Sequence, residues 1–186
     1  MQITDNLKND ISDAPSWFND AINIKPSEKI LEDTKGNLSY SVWPSLSENK
    51  NLMIFIHGTG AHKKWWYPIA PQFVNYSNVI AVDLPGMGDS GFREKYSIKD
   101  FGQCIISIIE KEKSNMNIDN ISIIGHSLGG QVAGYVASEE KNLVSNLIMI
   151  DTFIRPPDWD PSQNEGGPLR MIKYYPDKTT ILKRFR

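Results

Sequence analysis

Hydrophobic positions along the chain gather into four short, nearly continuous runs: Leu52-Met53-Ile54-Phe55-Ile56, Val79-Ile80-Ala81-Val82, Ile121-Ser122-Ile123-Ile124 and Leu147-Ile148-Met149-Ile150. Runs of this length without alternation suit strands buried on both faces, which is how a parallel sheet reads. Each run ends in a loop-forming cluster: His57-Gly58-Thr59-Gly60, Asp83-Leu84-Pro85-Gly86, Gly125-His126-Ser127 and Asp151-Thr152. Between the second and third runs, Ile98, Phe101, Ile105, Ile108 and Ile109 recur at helical spacing. They predict a helix capped by Ser97, with Asp100 as a capping-box partner, running to about Lys113. A second helix is predicted from Ser127 to about Ser138, with Leu128, Val132, Tyr135 and Val136 facing inward and Gly130 and Gly134 letting it lie close against the sheet. Alternation of this kind predicts an α/β fold, a mostly parallel sheet between helical layers in a three-layer αβα arrangement.

The flanks read differently. Residues 28–43 suggest two short strands around a turn at Lys35-Gly36-Asn37, and 45–51 form a polar loop. Residues 1–27 read as a polar N-terminal arm, with one amphipathic piece at Trp17, Phe18 and Ile22. Beyond Thr152, Pro156, Pro157, Pro161, Pro168 and Pro176 break the regular pattern, and residues 179–186 suggest the start of a basic helix.

Composition narrows the partners. A net charge of -2, with 23% charged and 40% hydrophobic residues, gives no electrostatic reason to expect nucleic acid or an anionic membrane. No apolar run approaches the ~20 residues needed to span a bilayer, and the polar N-terminus shows no secretory signal, so a cytoplasmic protein without a transmembrane segment is expected. The single cysteine, Cys104, lies in an apolar stretch and reads as a buried, inert thiol. No spacing of Cys and His resembles a metal site, and no metal or organic cofactor is implied.

The candidate chemistry lies at Gly125-His126-Ser127-Leu128-Gly129. A serine hydroxyl becomes a useful nucleophile only when a base takes its proton and nearby donors hold the developing oxyanion. G-x-S-x-G after a buried strand and before a helix is the sharp turn that presents such a serine, here Ser127. The plainer alternative is that Ser127 merely caps the helix. Two backbone donors are needed for the oxyanion. One is expected from Leu128, the residue after the nucleophile, and the other from Thr59, with Gly60 next, in the loop that follows residues 52–56. Trp65, Trp66 and Tyr67 are candidates to wall an acyl or aryl pocket, with Gly60 and His62 beside it.

These three motifs, His57-Gly58-Thr59-Gly60, Asp83-Leu84-Pro85-Gly86-Met87-Gly88-Asp89-Ser90 and Gly125-His126-Ser127-Leu128-Gly129-Gly130, come in an order and spacing that resembles the α/β-hydrolase superfamily over residues 28–152. The resemblance implies an eight-stranded sheet, with the four apolar runs as strands three to six. It also implies a Ser–acid–His triad and a cap inserted after the sixth strand, so that residues 153–186 begin the cap and Asp158, Asp160 and Glu165 sit on its solvated surface. Trp residues after the oxyanion loop are similar to those of single-domain esterase-like members. A serine at the elbow argues against the haloalkane dehalogenase and epoxide hydrolase branches. Asp83 and Ser90 are expected to shape the turn after their strand, and His57 to order the oxyanion loop. The chain departs from the pattern in one respect: its three histidines, His57, His62 and His126, all precede Ser127. Asp151 is the candidate acid within the chain. The expectation is a chain that stops inside the cap, before the strands carrying acid and base. Its parent would cleave an ester or related acyl bond of a small-molecule substrate through an acyl-serine. The alternative is a catalytically inactive hydrolase fold used for binding or interaction.

Overall fold

Strict alternation of side chains between the two faces of each strand explains why the apolar runs are continuous. In the computed structural model, which describes residues 14–154, Leu52, Ile54 and Ile56 point into one core while Met53 and Phe55 point into another. Ile80 and Val82 join the first core and Val79 and Ala81 the second, and Ile121 and Ile123 are likewise divided from Ile124. Both faces are therefore covered, and each fully buried aliphatic side chain contributes roughly 1.5–3 kcal/mol.

The elements, in order, are α1 (Ser16–Asn23), β1 (Ser27–Leu31), β2 (Leu38–Trp43), β3 (Asn51–Ile56), β4 (Asn78–Val82), α2 (Ile98–Met116), β5 (Asn120–His126), α3 (Leu128–Glu139) and β6 (Asn146–Ile150). Two single 3₁₀ turns, Lys63–Trp66 and Ala70–Phe73, lie between β3 and β4. The six strands form one sheet in the order β1-β2-β4-β3-β5-β6. β4, β3, β5 and β6 run parallel, while the β1–β2 hairpin joins antiparallel at the β4 side. The four apolar runs are thus the third to sixth strands, and the hairpin turn falls at Gly36, whose φ of 123° favours glycine. Pro15–Ile154 fold as one compact unit.

Helices α2 and α3 cover the first face, and the 3₁₀ turns with α1 cover the second. Ser97 caps α2 as expected, its hydroxyl accepting the Asp100 N–H at 3.0 Å. The helix continues to Met116, three residues past the expected end, and stops at Asn117 in the left-handed conformation. The Tyr135 ring of α3 packs against Gly102 of α2, where a Cβ would collide with it. The amphipathic piece of the N-terminal arm is α1, with Ala21 buried and the Trp43 indole N–H donating to the Ile24 carbonyl at 2.8 Å. Residues 1–13 of that arm, the proline-rich stretch with Asp158, Asp160 and Glu165, the beginning of the cap and the basic segment 179–186 lie outside the described residues.

One buried ionic group sits within the first core. Glu112 of α2 is fully buried and accepts both the Lys29 ammonium, at 2.8 and 3.0 Å, and the Tyr40 hydroxyl, at 2.7 Å. Burial alone pushes its carboxyl pKa up, but these hydrogen bonds outweigh it and hold the group below its ordinary value. Cys104 is buried and its thiol pKa is raised by that burial. No helix among the described residues is long and apolar enough to cross a membrane.

At the other side of the sheet, β6 is the edge strand among the described residues. Its side chains Leu147, Ile148 and Ile150 stand half exposed, unlike those of β3, β4 and β5.

Candidate active site

Strand β5 ends at His126 and α3 begins at Leu128, so Ser127 alone turns the chain. Its backbone takes φ 51°, ψ −115°, a conformation that L-residues rarely adopt. The hydroxyl makes no capping hydrogen bond to the helix, which removes the reading of Ser127 as an ordinary cap. The turn is held by its backbone instead: the Ser127 N–H donates to the Ile150 carbonyl at 2.9 Å, and its own carbonyl accepts from Gly130 and Gln131. Thr152 completes the clasp with a hydroxyl hydrogen bond to the Ser127 carbonyl at 3.3 Å.

Small residues are required here because backbones meet. A Cβ on Gly125 would lie 2.6 Å from Gly130 Cα, and one on Gly129 would lie 2.6 Å from the His57 carbonyl oxygen. Gly130 faces the Thr152 side chain just as closely. Gly134, expected to share this role, does not: the nearest atom to its Cβ position is Met149 Cε at 3.5 Å, an ordinary contact with a flexible side chain.

The loop after β3 lies directly against this turn. A Cβ on Gly58 would sit 2.8 Å from His126 Nδ1 and 3.2 Å from Ser127 Cβ. Ala61 N–H closes a turn on the Gly58 carbonyl at 3.2 Å, with Gly60 at φ 72° and Thr59 and Gly60 exposed at its tip. The structure therefore brings Gly58 of this loop against His126 and Ser127. Leu128 is the first residue of α3, where N–H groups have no intrahelical acceptor and the helix dipole is positive.

His57 is a fully buried crossbar. Its Nε2 accepts the Leu84 N–H at 3.1 Å, which places the ring proton on Nδ1, donated to the Gly58 carbonyl at 2.8 Å. Burial pushes its pKa below the ordinary imidazole range, so the ring stays neutral. Asp83 and Ser90 shape the following turn as expected: Ser90 Oγ bridges the Asp83 carbonyl and the Ser39 N–H. Asp83 accepts the Asp89 N–H at 2.9 Å across Gly88, whose φ is 57°.

Other expected residues are placed elsewhere. Trp66 is not a pocket wall; it is buried in the second core with its ring 5.0 Å from that of Phe55. His62 is exposed and lines a small polar hollow of about 130 Å³ with Asp83 and Asp89, away from the contacts of Ser127. Trp65 does reach the turn, its ring 5.2 Å from that of His126. Tyr67 hydrogen-bonds Glu28 and Ser41, and burial pushes its phenol up to about 12. Asp151 follows β6 at φ 47° with its side chain 89% exposed, 4.0 Å from His126 Nε2.

No motif in the sequence marks Lys63. It is only 1% exposed, and its ammonium donates to Ser39 Oγ, Asp83 and Asp89 at 2.7, 3.0 and 2.7 Å, with Glu28 at 3.4 Å. Its backbone N–H also donates to Asp83, at 2.6 Å. Burial disfavours the charge, but the hydrogen bonds to Asp89 and Asp83 prevail and hold the ammonium above its ordinary pKa. The signal is a set of partners scattered from Glu28 to Asp89, which only the fold collects. Among the described residues no group of three or more His, Cys, Asp or Glu is arranged to hold a metal ion.

Known proteins resemble this chain in sequence and in fold. Over 128 residues the chain is 31% identical to a pimeloyl-(acyl-carrier protein) methyl ester esterase of Pseudoalteromonas atlantica, a match covering 64% of this chain and 46% of the esterase. Over 104 residues it is 30% identical to a soluble epoxide hydrolase of a Corynebacterium species, covering 53% and 34%. Among solved structures, a thioesterase domain from the curacin biosynthetic pathway superposes with a TM-score of 0.60 at 25% identity, over 70% of this chain and 48% of that one. The chain thus spans less than half the length of these relatives. The alpha/beta hydrolase fold family itself matches from residue 51 to residue 183. Because that match takes in more than half of the chain and every element from β3 to β6, the chain belongs to the alpha/beta hydrolase fold family.

Proposed function

We propose that Ser127 is the nucleophile of a serine hydrolase acting on an ester or related acyl bond of a small molecule. The observation that carries the reading is the strained, uncapped Ser127 at the β5–α3 turn with the Gly58-Thr59 loop packed against it. The hydroxyl attacks the acyl carbon, and the oxyanion that forms is held by the N–H groups of Leu128 and Thr59. Trp65, beside His126, offers an apolar surface next to the reacting centre. The esterase relative named above is consistent with an ester substrate.

The base is not one of the three histidines. His57 is buried with both ring nitrogens engaged in the loop crossbar, and His62 faces the Asp83–Asp89 hollow. His126 leans on Trp65 and faces Asp151 with Nε2. In this reading Asp151 anchors the end of β6 and is not assigned the role of the acid. Without a base, only the residual catalysis of the oxyanion donors and binding is expected, so the chain of 186 residues should acylate slowly and turn over negligibly. Incubation with an activated aryl ester, followed by peptide mass spectrometry, tests this. The expected result is an acyl adduct on the peptide holding Ser127, absent from Ser127→Ala, without steady turnover. An unmodified Ser127 would refute the nucleophile, and rapid turnover lost in Ser127→Ala would refute the missing base. The second reading, an inactive fold used for binding, is favoured by the histidine placement and predicts no adduct.

A further inference from the structure

We infer that Lys63 is a positioning residue for the oxyanion loop, fixing the Thr59–Gly60 tip from behind. Two anchors flank that tip. On one side His57 ties β3 to the turn after β4 through the Leu84 N–H. On the other, Lys63 ties the same loop to the same turn twice, by its backbone N–H to one Asp83 oxygen and its ammonium to the other. The five residues between the anchors, 58–62, have only the Ala61–Gly58 turn to define them internally. Thr59 and Gly60 are exposed, and no atom lies within 4 Å of a Cβ built on Gly60. Neighbouring side chains therefore do not hold the tip; its end points do.

A buried ammonium is an uncommon choice for such an anchor, because desolvating it is costly unless every N–H finds an acceptor. Here the Lys63 ammonium is matched to oxygens of Ser39, Asp83 and Asp89, with Glu28 alongside. These acceptors come from β2, the end of β4, the loop beyond it and β1, so the loop is referenced to the whole hairpin side of the sheet. Lys63 also opens the 3₁₀ turn that carries Trp65 to His126 and Trp66 into the second core. Its placement thus governs both the Thr59–Gly60 loop and the aromatic beside His126. Preorganised donors are effective because they need not reorient as charge develops, and this consequence for catalysis rests on the acyl-serine reading.

Hydrogen–deuterium exchange on the chain, followed peptide by peptide, reads the loop without reading the chemistry. Lys63→Met keeps the length of the stem and removes the charge, while Asp89→Asn weakens one exposed acceptor and leaves the buried pair in place. Exchange over residues 58–66 is expected to rise about tenfold in Lys63→Met and about threefold in Asp89→Asn, with β5 and α2 unchanged. The Thr59 and Gly60 amide resonances should shift in both variants. Unchanged exchange at 58–66, or a rise shared equally by β5 and α2, would overturn the inference. If Lys63→Met does not fold, Asp89→Asn decides alone. Failure of Ser127 acylation would sink the acyl-serine reading and leave this result standing.

Discussion

Two glycines of one helix should respond to the same substitution with opposite signs. In α3, Gly129→Ala places a methyl 2.6 Å from the His57 carbonyl oxygen and 2.7 Å from the Ile56 carbonyl carbon. Ordinary contact begins near 3.4 Å, and both obstacles are backbone atoms at the buried end of β3, so no side-chain rotation relieves the overlap. The helix must lift from the sheet, and overpacking of this kind costs about 1–3 kcal/mol. The gain in helix propensity, about 1 kcal/mol in a helix interior, is smaller at the second residue of α3. Gly134→Ala meets only Met149 Cε at 3.5 Å and Sδ at 3.9 Å, and keeps that gain. Gly129→Ala should therefore lower stability by about 1–2 kcal/mol and Gly134→Ala raise it by about 0.5–1 kcal/mol. Urea unfolding monitored by circular dichroism would show midpoints displaced in opposite directions. If both displacements have the same sign, the claim that the elbow glycines are fixed by backbone contact is wrong.

Two further outcomes follow from strained and buried groups. Ser127→Gly relaxes a φ of 51° and should be more stable than Ser127→Ala by about 1 kcal/mol, since such conformations cost about 1–3 kcal/mol for residues with a Cβ; equal urea midpoints for the two would refute the strain. Glu112→Gln should cost about 1–3 kcal/mol at neutral pH by weakening the hydrogen bonds that Lys29 and Tyr40 donate to a charged acceptor. Because the folded pKa of Glu112 is depressed, its contribution is full above the ordinary value of 4.5 and is lost as pH falls through the lower folded value. The gap between the two proteins, followed by urea midpoints from pH 7 to pH 3, should close on acidification, and a constant gap would exclude the linkage.

Whether an element was legible in the sequence depended on how local its cause is. β3, β4, β5 and β6 were read within one or two residues because burial on two faces leaves an uninterrupted apolar run. The sharp β5–α3 turn was legible because strand, Gly125-x-Ser127-x-Gly129 and helix follow one another along the chain, although the contacts of Gly129 and Gly130 come from Ile56, His57 and Thr152. Gly134 was over-read since four-residue spacing puts it on the same helical face as Gly130, while only the fold shows that backbone contact has ended there. The burial of Trp66 in the core and of Lys63 among carboxylates escapes the sequence for the same reason. A 3₁₀ turn sends the indole under Phe55 and the lysine toward Asp83, and no periodicity marks a turn of four residues. Glu112 escaped notice because its partners, Lys29 and Tyr40, lie on the hairpin far upstream.

The positions of the histidines separate what builds the site from what would operate it. His57, neutral and buried, joins two loops at the tip of the sheet, and His126 fills the space between Gly58, Trp65 and Asp151. Both act in the scaffold around Ser127, so the strained turn and the Gly58 loop packed against it are assembled by scaffold histidines. Geometry and basicity are therefore separable here. A substrate whose leaving group departs without protonation needs mainly the geometry, whereas an alkyl ester or amide needs both. On the acyl-serine reading, acylation of Ser127 by activated esters should persist on this chain while alkyl esters remain inert, and equal reaction with both ester types would refute that separation.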